Sequence, residues 1–332
     1  MDYAAGYSAS FRVVRMDAGA WREEDEIARV SGISIMHSID SDAPLVDSAD
    51  LELDSTALGE CYVRVYMDCS QHGSRVSVPL GTFLLESVSG EGGANSAWSN
   101  AELWSVLKPA EERELPVGWH AVRGSSSAGK AAELISHCCD CPVSYEAGSP
   151  ALANDVVAGE GESYLSMAWA LLSEGWAIVP DGYGNVRIAK GGTEASVTSA
   201  DVIGTISEEW NLAGVPNTIT VTEGGREVTV TNSDPKSPTS TVSRGRLIEG
   251  DSSGQRNSDE TLAMFARRLL REQSIVVRRA TYKREYRDDI ACGDYVTIPG
   301  AEGLWRVVSQ SVECGAGAVV NETVEREEET WA

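Results

Sequence analysis

The sequence predicts a β-rich α+β protein. Three features carry that expectation: a two-residue alternation of polarity through residues 60–69, a helical stripe through 162–175, and strand-like runs that return from 217 onward. The order along the chain is therefore β, then α+β, then β with one helix. At 332 residues the chain is long enough for about two cores, since a single core stops growing near ~250 to 300 residues.

In Glu60 to Cys69 the odd positions Cys61, Val63, Val65, Met67 and Cys69 are apolar and the even positions polar or amphipathic, so one face of this strand is expected to be buried. Phe11 to Met16, Ile33 to Ile39 and Val76 to Val88 add further strands. Clusters of Gly, Ser and Asp such as Asp40 to Ala43 and Gly90 to Ser96 separate them, a pattern that suggests a small barrel or sandwich. Ala101 to Leu107 reads as a short helical turn, and 129–139 as a helix. In 162–175 Tyr164, Leu165, Ala168, Leu171 and Leu172 share one helical face, with Gly175 as the C-terminal cap. Trp176 to Val179 and Val186 to Ile188 flank a turn at 181–185 and form a hairpin. Asn217 to Thr222 and Arg226 to Thr231 form a second hairpin about Glu223-Gly224-Gly225. Asn232 to Thr241, rich in Pro, Ser and Thr, reads as a flexible loop. Ser258 or Asp259 is placed to cap a helix with Leu262, Phe265, Ala266, Leu269 and Leu270 on one stripe. Strands at Ser274 to Tyr286, Tyr295 to Ile298, Leu304 to Val312 and Ala318 to Arg326 complete the chain, and no internal repeat is visible.

Against 27 Lys and Arg stand 51 Asp and Glu, a net charge of -24. That is the wrong sign for holding a polyanion through counterion release, and it argues against a stable nucleic-acid complex. The acid excess is spread along the whole chain, so an acidic tail is not its source. Local runs at 23–26 and 325–329 are expected to be solvated loop or terminus. A hydrophobic fraction of 42% and a mean hydropathy of -0.20, without an apolar run of ~18 to 20 residues, exclude a membrane-spanning helix. The first residues lack the basic and apolar regions of a secretory signal, so the chain is expected to begin in the cytoplasm where it is made. With no such signal and an odd count of 7 cysteines, the thiols are expected to be reduced.

Few residues suggest chemistry. Gly124-Ser-Ser-Ser-Ala-Gly129-Lys130 has the glycine and lysine spacing of a phosphate-binding loop, but Ala131 stands where a magnesium-holding hydroxyl is needed and no apolar strand precedes it; a plain loop opening a helix is the better reading. His137, Cys138, Cys139 and Cys141 are the densest soft-ligand cluster, yet a closed zinc site wants a second ligand pair and none follows. No Gly-x-Ser-x-Gly or His-Glu-x-x-His motif occurs. Carboxylate pairs such as Asp288 with Asp289 and Glu208 with Glu209 are common by chance in so acidic a chain. No catalytic, cofactor-binding or metal-binding residue is assigned. Arg267, Arg268, Arg271, Arg278, Arg279, Lys283, Arg284 and Arg287 stand out against the acidic background and are expected to pair with carboxylates of the same chain or of an identical neighbour.

Arg64 to Asp68, Val78-Pro-Leu-Gly-Thr-Phe-Leu-Leu-Glu86 and Trp98 to Leu107 together resemble the baseplate hub proteins of bacteriophage tails. The similarity continues through Glu162 to Ile188, with its Gly-Tyr-Gly turn, Asn217 to Asp234, Ser243-Arg-Gly-Arg246 and Gly293-Asp-Tyr-Val296, and so covers most of the chain in order. The resemblance implies two small β-barrel-like domains joined by an α+β domain, here 1–105, 106–200 and 201–332, the last with one long helix. It further implies a non-enzymatic virion protein: a homotrimeric ring at the tip of the tail tube that contacts tube, distal tail and tip or fibre proteins and lets DNA pass without binding it. A hub of a contractile injection machine would differ only in its neighbours. The chain ends soon after its last predicted strand, which leaves no room for an appended cell-wall-degrading module. The alternative is a tail-associated cell-wall hydrolase working through carboxylates of the α+β segment.

Overall fold

The computed structural model describes residues 6–27, 30–39, 45, 47–53, 59–93, 96–257, 259–315 and 317–331. The turn expected at Asp40 to Ala43 and the candidate cap Ser258 lie outside them. The chain forms two compact units, residues 1–206 with 282–323 and residues 207–281 with 324–332.

In chain order the elements begin with β1 (Ser8–Asp17), β2 (Arg22–Ile27), β3 (Val30–Ser38), β4 (Asp47–Leu53), β5 (Cys61–Gln71), β6 (Ser74–Gly93) and β7 (Ser96–Ser105). An α+β stretch follows: α1 (Lys108–Glu112), β8 (His120–Ala121), α2 (Ser127–Cys138), β9 (Val143–Tyr145), β10 (Val156–Val157), α3 (Tyr164–Ala170), β11 (Trp176–Pro180) and β12 (Val186–Lys190). The remainder is β13 (Glu194–Ser196), β14 (Val202–Trp210), β15 (Thr218–Glu223), β16 (Arg226–Thr231), α4 (Thr241–Arg244), α5 (Leu262–Gln273), β17 (Ile275–Glu285), β18 (Tyr295–Thr297), β19 (Trp305–Cys314) and β20 (Ala318–Glu329).

In the first unit β19, β3, β4, β7, β6, β5, β1 and β2 lie side by side in that order, all antiparallel. β5 and β6 are joined by His72-Gly73, whose φ angles of 49° and 85° suit a two-residue hairpin turn that follows the strand twist. The β-rich character matches the sequence expectation. The expected barrels do not emerge as closed sheets: among the described residues no sheet closes on itself, and the large sheet ends at β2, an edge blunted by four acids.

The alternation in β5 sends Val63, Val65 and Met67 into a core with Ile35, Leu51, Leu85 and Leu103. The sequence pattern pointed to one buried face; the opposite face is buried as well. Tyr62 packs with Met16, Leu84 and the apolar faces of α2 and α3 in a second core, and Arg64 and Tyr66 are buried beside it. A strand sandwiched between two cores hides its polar positions only if each finds a partner, and the α+β stretch supplies the cover.

Several boundaries also differ. The helical turn expected at 101–107 is the end of β7, where buried Ala101, Leu103 and Ser105 keep a two-residue period; helix α1 begins after it with Pro109 in its first turn. Helix α3 stops at Ala170, and Gly175, with φ 80°, turns the chain into β11 instead of capping the helix. The acidic runs are strands: 23–26 lies in β2 and 325–329 in β20. Helix α5 is capped by Thr261, whose hydroxyl accepts from Met264 N at 3.2 Å, not by Asp259. Its Phe265, Ala266, Leu269 and Leu270 pack on Ile219 and Val221 of β15 as the core of the second unit.

The stretch 232–241 is not a flexible loop. Asn232, Ser237, Thr239 and Ser240 are buried and hydrogen-bonded: Asn232 Nδ2 donates to Ser237 Oγ (2.8 Å), and Asn217 Nδ2 donates to the carbonyls of Thr239 (3.1 Å) and Arg246 (3.0 Å). Composition suggested mobility; satisfied polar burial overrides it.

In the first unit the turn between β11 and β12 is pressed onto β6. Pro79 sits at a bulge, where Val65 faces Gly81 and Tyr66 faces Pro79 and Leu80 is left over; a bulge tolerates the missing proline N–H. A Cβ on Gly182 would lie 2.2 Å from the Pro79 carbonyl oxygen, and one on Gly184 2.7 Å from Thr82 Cβ. Both glycines of the Gly-Tyr-Gly turn are therefore needed for close approach of two backbones. Substituting Gly182→Ala is expected to lower the unfolding free energy by about 1 to 3 kcal/mol, measured by urea denaturation; an unchanged midpoint would show that the two backbones are not in contact.

Candidate functional site

The contact between the turn and the sheet is organised by Arg64. Its Nε donates to Thr82 Oγ1 (2.9 Å), Nη2 to the Tyr183 carbonyl (2.7 Å) and Nη1 to Glu23 (3.3 Å). Thr82 Oγ1 in turn donates to the Gly182 carbonyl (3.1 Å), and Trp21 Nε1 donates to the Tyr183 carbonyl (3.0 Å). Trp21 holds φ at 50°, unusual for a bulky residue, and its ring meets Tyr62 edge-on at 5.1 Å. Tyr66 completes the set by donating its hydroxyl to Glu23, and burial, with that carboxylate, pushes its pKa up.

Beside this contact lies a cleft of about 670 Å³, bordered by His37, Asp47, Pro79, Tyr183, Cys292 and Arg306. His37 Nδ1 is 2.7 Å from Asp47 Oδ1, and the ring also bonds the Leu80 backbone. Burial opposes charge on the ring, but the Asp47 carboxylate and the two hydrogen bonds outweigh it and raise the His37 pKa above its ordinary value. Burial pushes the Cys292 thiol well up, which leaves it protonated and a poor nucleophile.

A second buried polar cluster joins β17, β19 and β20. Arg284 and Glu322 are fully buried. Arg284 Nε donates to Glu322 Oε2 (3.1 Å), Gln310 Nε2 donates to the same oxygen (2.7 Å), and the Tyr282 hydroxyl donates to Glu322 Oε1. Burial first, then the neighbouring Glu322, drives the Tyr282 pKa far up, so the phenol stays a donor. Neither this cluster nor the Arg64 contact offers a group poised for proton transfer; both are saturated by their own partners.

The residues singled out in the sequence are dispersed into structural roles. Ser126 of the glycine-lysine loop caps α2, accepting from Gly129 N at 3.1 Å, and Lys130 pairs with Glu133 on the same helix. His137 stacks on Tyr164 at 5.2 Å, while Cys139 and Cys141 are buried in the α+β core. Among the described residues no three His, Cys, Asp or Glu side chains gather as metal ligands. Asp289 pairs with Arg287, which lowers its pKa, the reverse of what a general acid needs; Glu208 pairs with Arg278. The basic cluster is satisfied within the chain: Arg268 by Glu260 and Glu272, Arg271 by Glu329, Arg278 by Glu208 and Glu328, Arg279 by Glu325, Lys283 by Glu313, Arg284 by Glu322, and Arg287 by Asp201 and Asp289. Arg267 lies over the Trp331 ring at 5.4 Å. The intrachain half of the expectation holds, and the acidic run 325–329 is part of its answer.

No protein-family profile matches the sequence, and no protein of curated function matches it. Solved structures do match the fold. The tail protein from Neisseria meningitidis MC58 superposes with a TM-score of 0.61 at 15% identity, over 98% of this chain and 98% of that one. The 43 kDa tail protein of prophage MuSo2 from Shewanella oneidensis gives 0.62 at 14%, over 96% and 98%. The chain has the fold of phage tail proteins. A chain of the Francisella PdpA–VgrG complex shares the fold with a TM-score of 0.57 at 7% identity; this chain spans 53% of it. In this tail-protein fold the interactions that sequence reading misses are chiefly polar: Arg64, His37 with Asp47, and Glu322. Only Arg64 carried a signal, as a charged residue flanked on both sides by apolar and aromatic residues from Cys61 to Met67.

Two outcomes follow for the tail-protein fold. Glu322→Ala leaves the Arg284 charge buried without its carboxylate and should cost about 3 to 5 kcal/mol of unfolding free energy, read by denaturant titration; a loss under 1 kcal/mol would mean the cluster is hydrated. Because the folded pKa of His37 is raised, its contribution is fully present below the unfolded value of about 6.5 and is lost as pH rises through the folded value. The difference in melting temperature between wild type and His37→Gln should therefore narrow from pH 5.5 to pH 9, and a constant difference would contradict the charged pair.

Proposed function

We propose that this chain is a structural virion protein, the hub at the tip of a phage tail tube, assembled as a homotrimeric ring that joins the tube to distal tail, tip or fibre proteins. The observation that carries the reading is the end-to-end likeness of fold to the Neisseria and Shewanella tail proteins, 98% of each chain in the first case. The Francisella neighbour belongs to a multichain complex, which fits a fold used in assemblies. Saturation of the buried polar clusters supports a scaffold without an enzymatic centre.

The charge supports passage of DNA without binding. Three copies at -24 each would surround a bore with acid excess, and any part of it lining the wall repels the phosphate backbone. Screening confines that repulsion to about 8 Å at physiological salt, so it acts on a duplex passing near the wall. Among the described residues no helix is long and apolar enough to cross a membrane.

Light scattering on the purified chain tests the ring: the expected mass is near three times 35.5 kDa, with no retardation of duplex DNA at physiological salt. A monomer at every accessible concentration, or turnover of purified peptidoglycan, would overturn the reading.

A further inference from the structure

We propose that the Ser240–Ile248 tip of the second unit is a contact by which one copy grips the acidic edge strand β2 of the next. This deepens the ring reading and rests on it.

The tip is rigid by construction. Asn217 commits both amide hydrogens to the carbonyls of Thr239 and Arg246, and its Oδ1 accepts from Ile248 N at 2.9 Å. Ser240 caps α4, Ser243 Oγ donates to the Ser237 carbonyl (2.8 Å), and Gly245 ends the helix in the left-handed region at φ 64°. This buried polar framework displays apolar side chains to water: Val242 is 61% exposed and Leu247 69%. A preorganised apolar tip loses little conformational entropy on docking.

Its charge is opposite to that of the chain. The Arg244 guanidinium is held by the carbonyls of Val215 and Leu212, not by an acid. Arg246 and Lys236 are exposed and have no carboxylate within ion-pair distance among the described residues, whereas every base from Arg268 to Arg287 is paired with a carboxylate. Asp234, the acid of the neighbouring loop, is engaged by the backbone N–H of Lys236 at 2.8 Å. The tip is thus a cationic and apolar knob on a molecule of charge -24.

The matching surface is on the chain itself. In β2 residues 22–26 are all exposed; Glu23 is engaged by Arg64 and Tyr66 and Asp25 lies 3.9 Å from Arg15, which leaves Glu24 and Glu26 as the free acids of the strand. Neither has a cation within ion-pair distance among the described residues. Among the described residues β2 is also the last strand of its sheet, with one edge unpaired. A knob meeting an edge is a contact between unlike surfaces, and such contacts repeat head to tail into rings.

A charge swap on the full-length chain tests this by sedimentation equilibrium, with melting temperature as the check on folding. Arg246→Glu with Lys236→Glu should weaken self-association at least tenfold, as should Glu24→Lys with Glu26→Lys, and the four changes together should restore it. A wild-type trimer indifferent to either reversal, or reversals that the fourfold variant does not rescue, would remove this contact and leave the ring. So would aggregation as the sole effect of changing Glu24 and Glu26, which marks them as guards of a free edge. A wild type that never self-associates would remove ring and contact together.

Discussion

The Arg64 guanidinium is the point at which the first unit would otherwise fail. β5 must bury both faces, because one side meets the sheet's own core and the other the α+β stretch. A cation in that position is tolerable only with its donors satisfied. The 181–185 turn provides the decisive acceptors, the carbonyl of Tyr183 directly and that of Gly182 through Thr82. Those carbonyls reach it because Gly182 and Gly184 have no Cβ and because the Pro79 bulge opens β6 at the same place. Glycine, proline and arginine positions far apart in sequence thus serve one requirement. Trp21 accepts an unfavourable backbone angle in the same cause, since its indole N–H closes on the carbonyl that Arg64 uses.

Charge is managed by separation. The chain has nearly twice as many acids as bases, yet its densest basic segment is consumed by intrachain pairs along α5, β17 and β20. Exposed pairs such as Arg271 with Glu329 contribute little individually. Their larger effect is to spend cations inside the molecule, which leaves the uncompensated acids at the surface. Cys139 shows the same economy with thiols: hydrogen bonding to Cys141 and burial keep it protonated in an apolar core.

Much of the fold was legible because it rests on local pattern. The two hairpins, the stripe of α5, and the β17 to β20 strands follow from periodicity and turn residues, which act over a few positions. The failures share a cause. Residues 101–107 have too short a pattern to separate a strand end from a helix, and only pairing of β7 with β4 and β6 decides it. Residues 232–241 look mobile by composition, but Asn217 and Thr330 hold them from outside the segment. The acidic strand at 325–329 was misread because its arginine partners lie some fifty residues earlier in the sequence. For the functional site, sequence spacing identified what was not there, a nucleotide loop or a zinc cluster, more readily than what was. His37 with Asp47 and Arg284 with Glu322 are joined only by topology.

The buried ionic clusters also bear on how the sheet keeps its register. Replacing Arg284, Glu322 and Gln310 with apolar residues of similar volume is the route by which a core usually gains stability, since desolvation costs about as much as the ion pair returns. What the polar set provides instead is a geometry that cannot slip: Glu322 takes donors from Tyr282, Arg284 and Gln310, and each fits in one register of β17, β19 and β20. A one-residue slip would turn every side chain to the opposite face and strand a buried charge. Here that fixity lies within the sheet and at the turn that covers it, so the same kind of saturated polar contact sets the register of β17, β19 and β20 and the seat of the cover on β5.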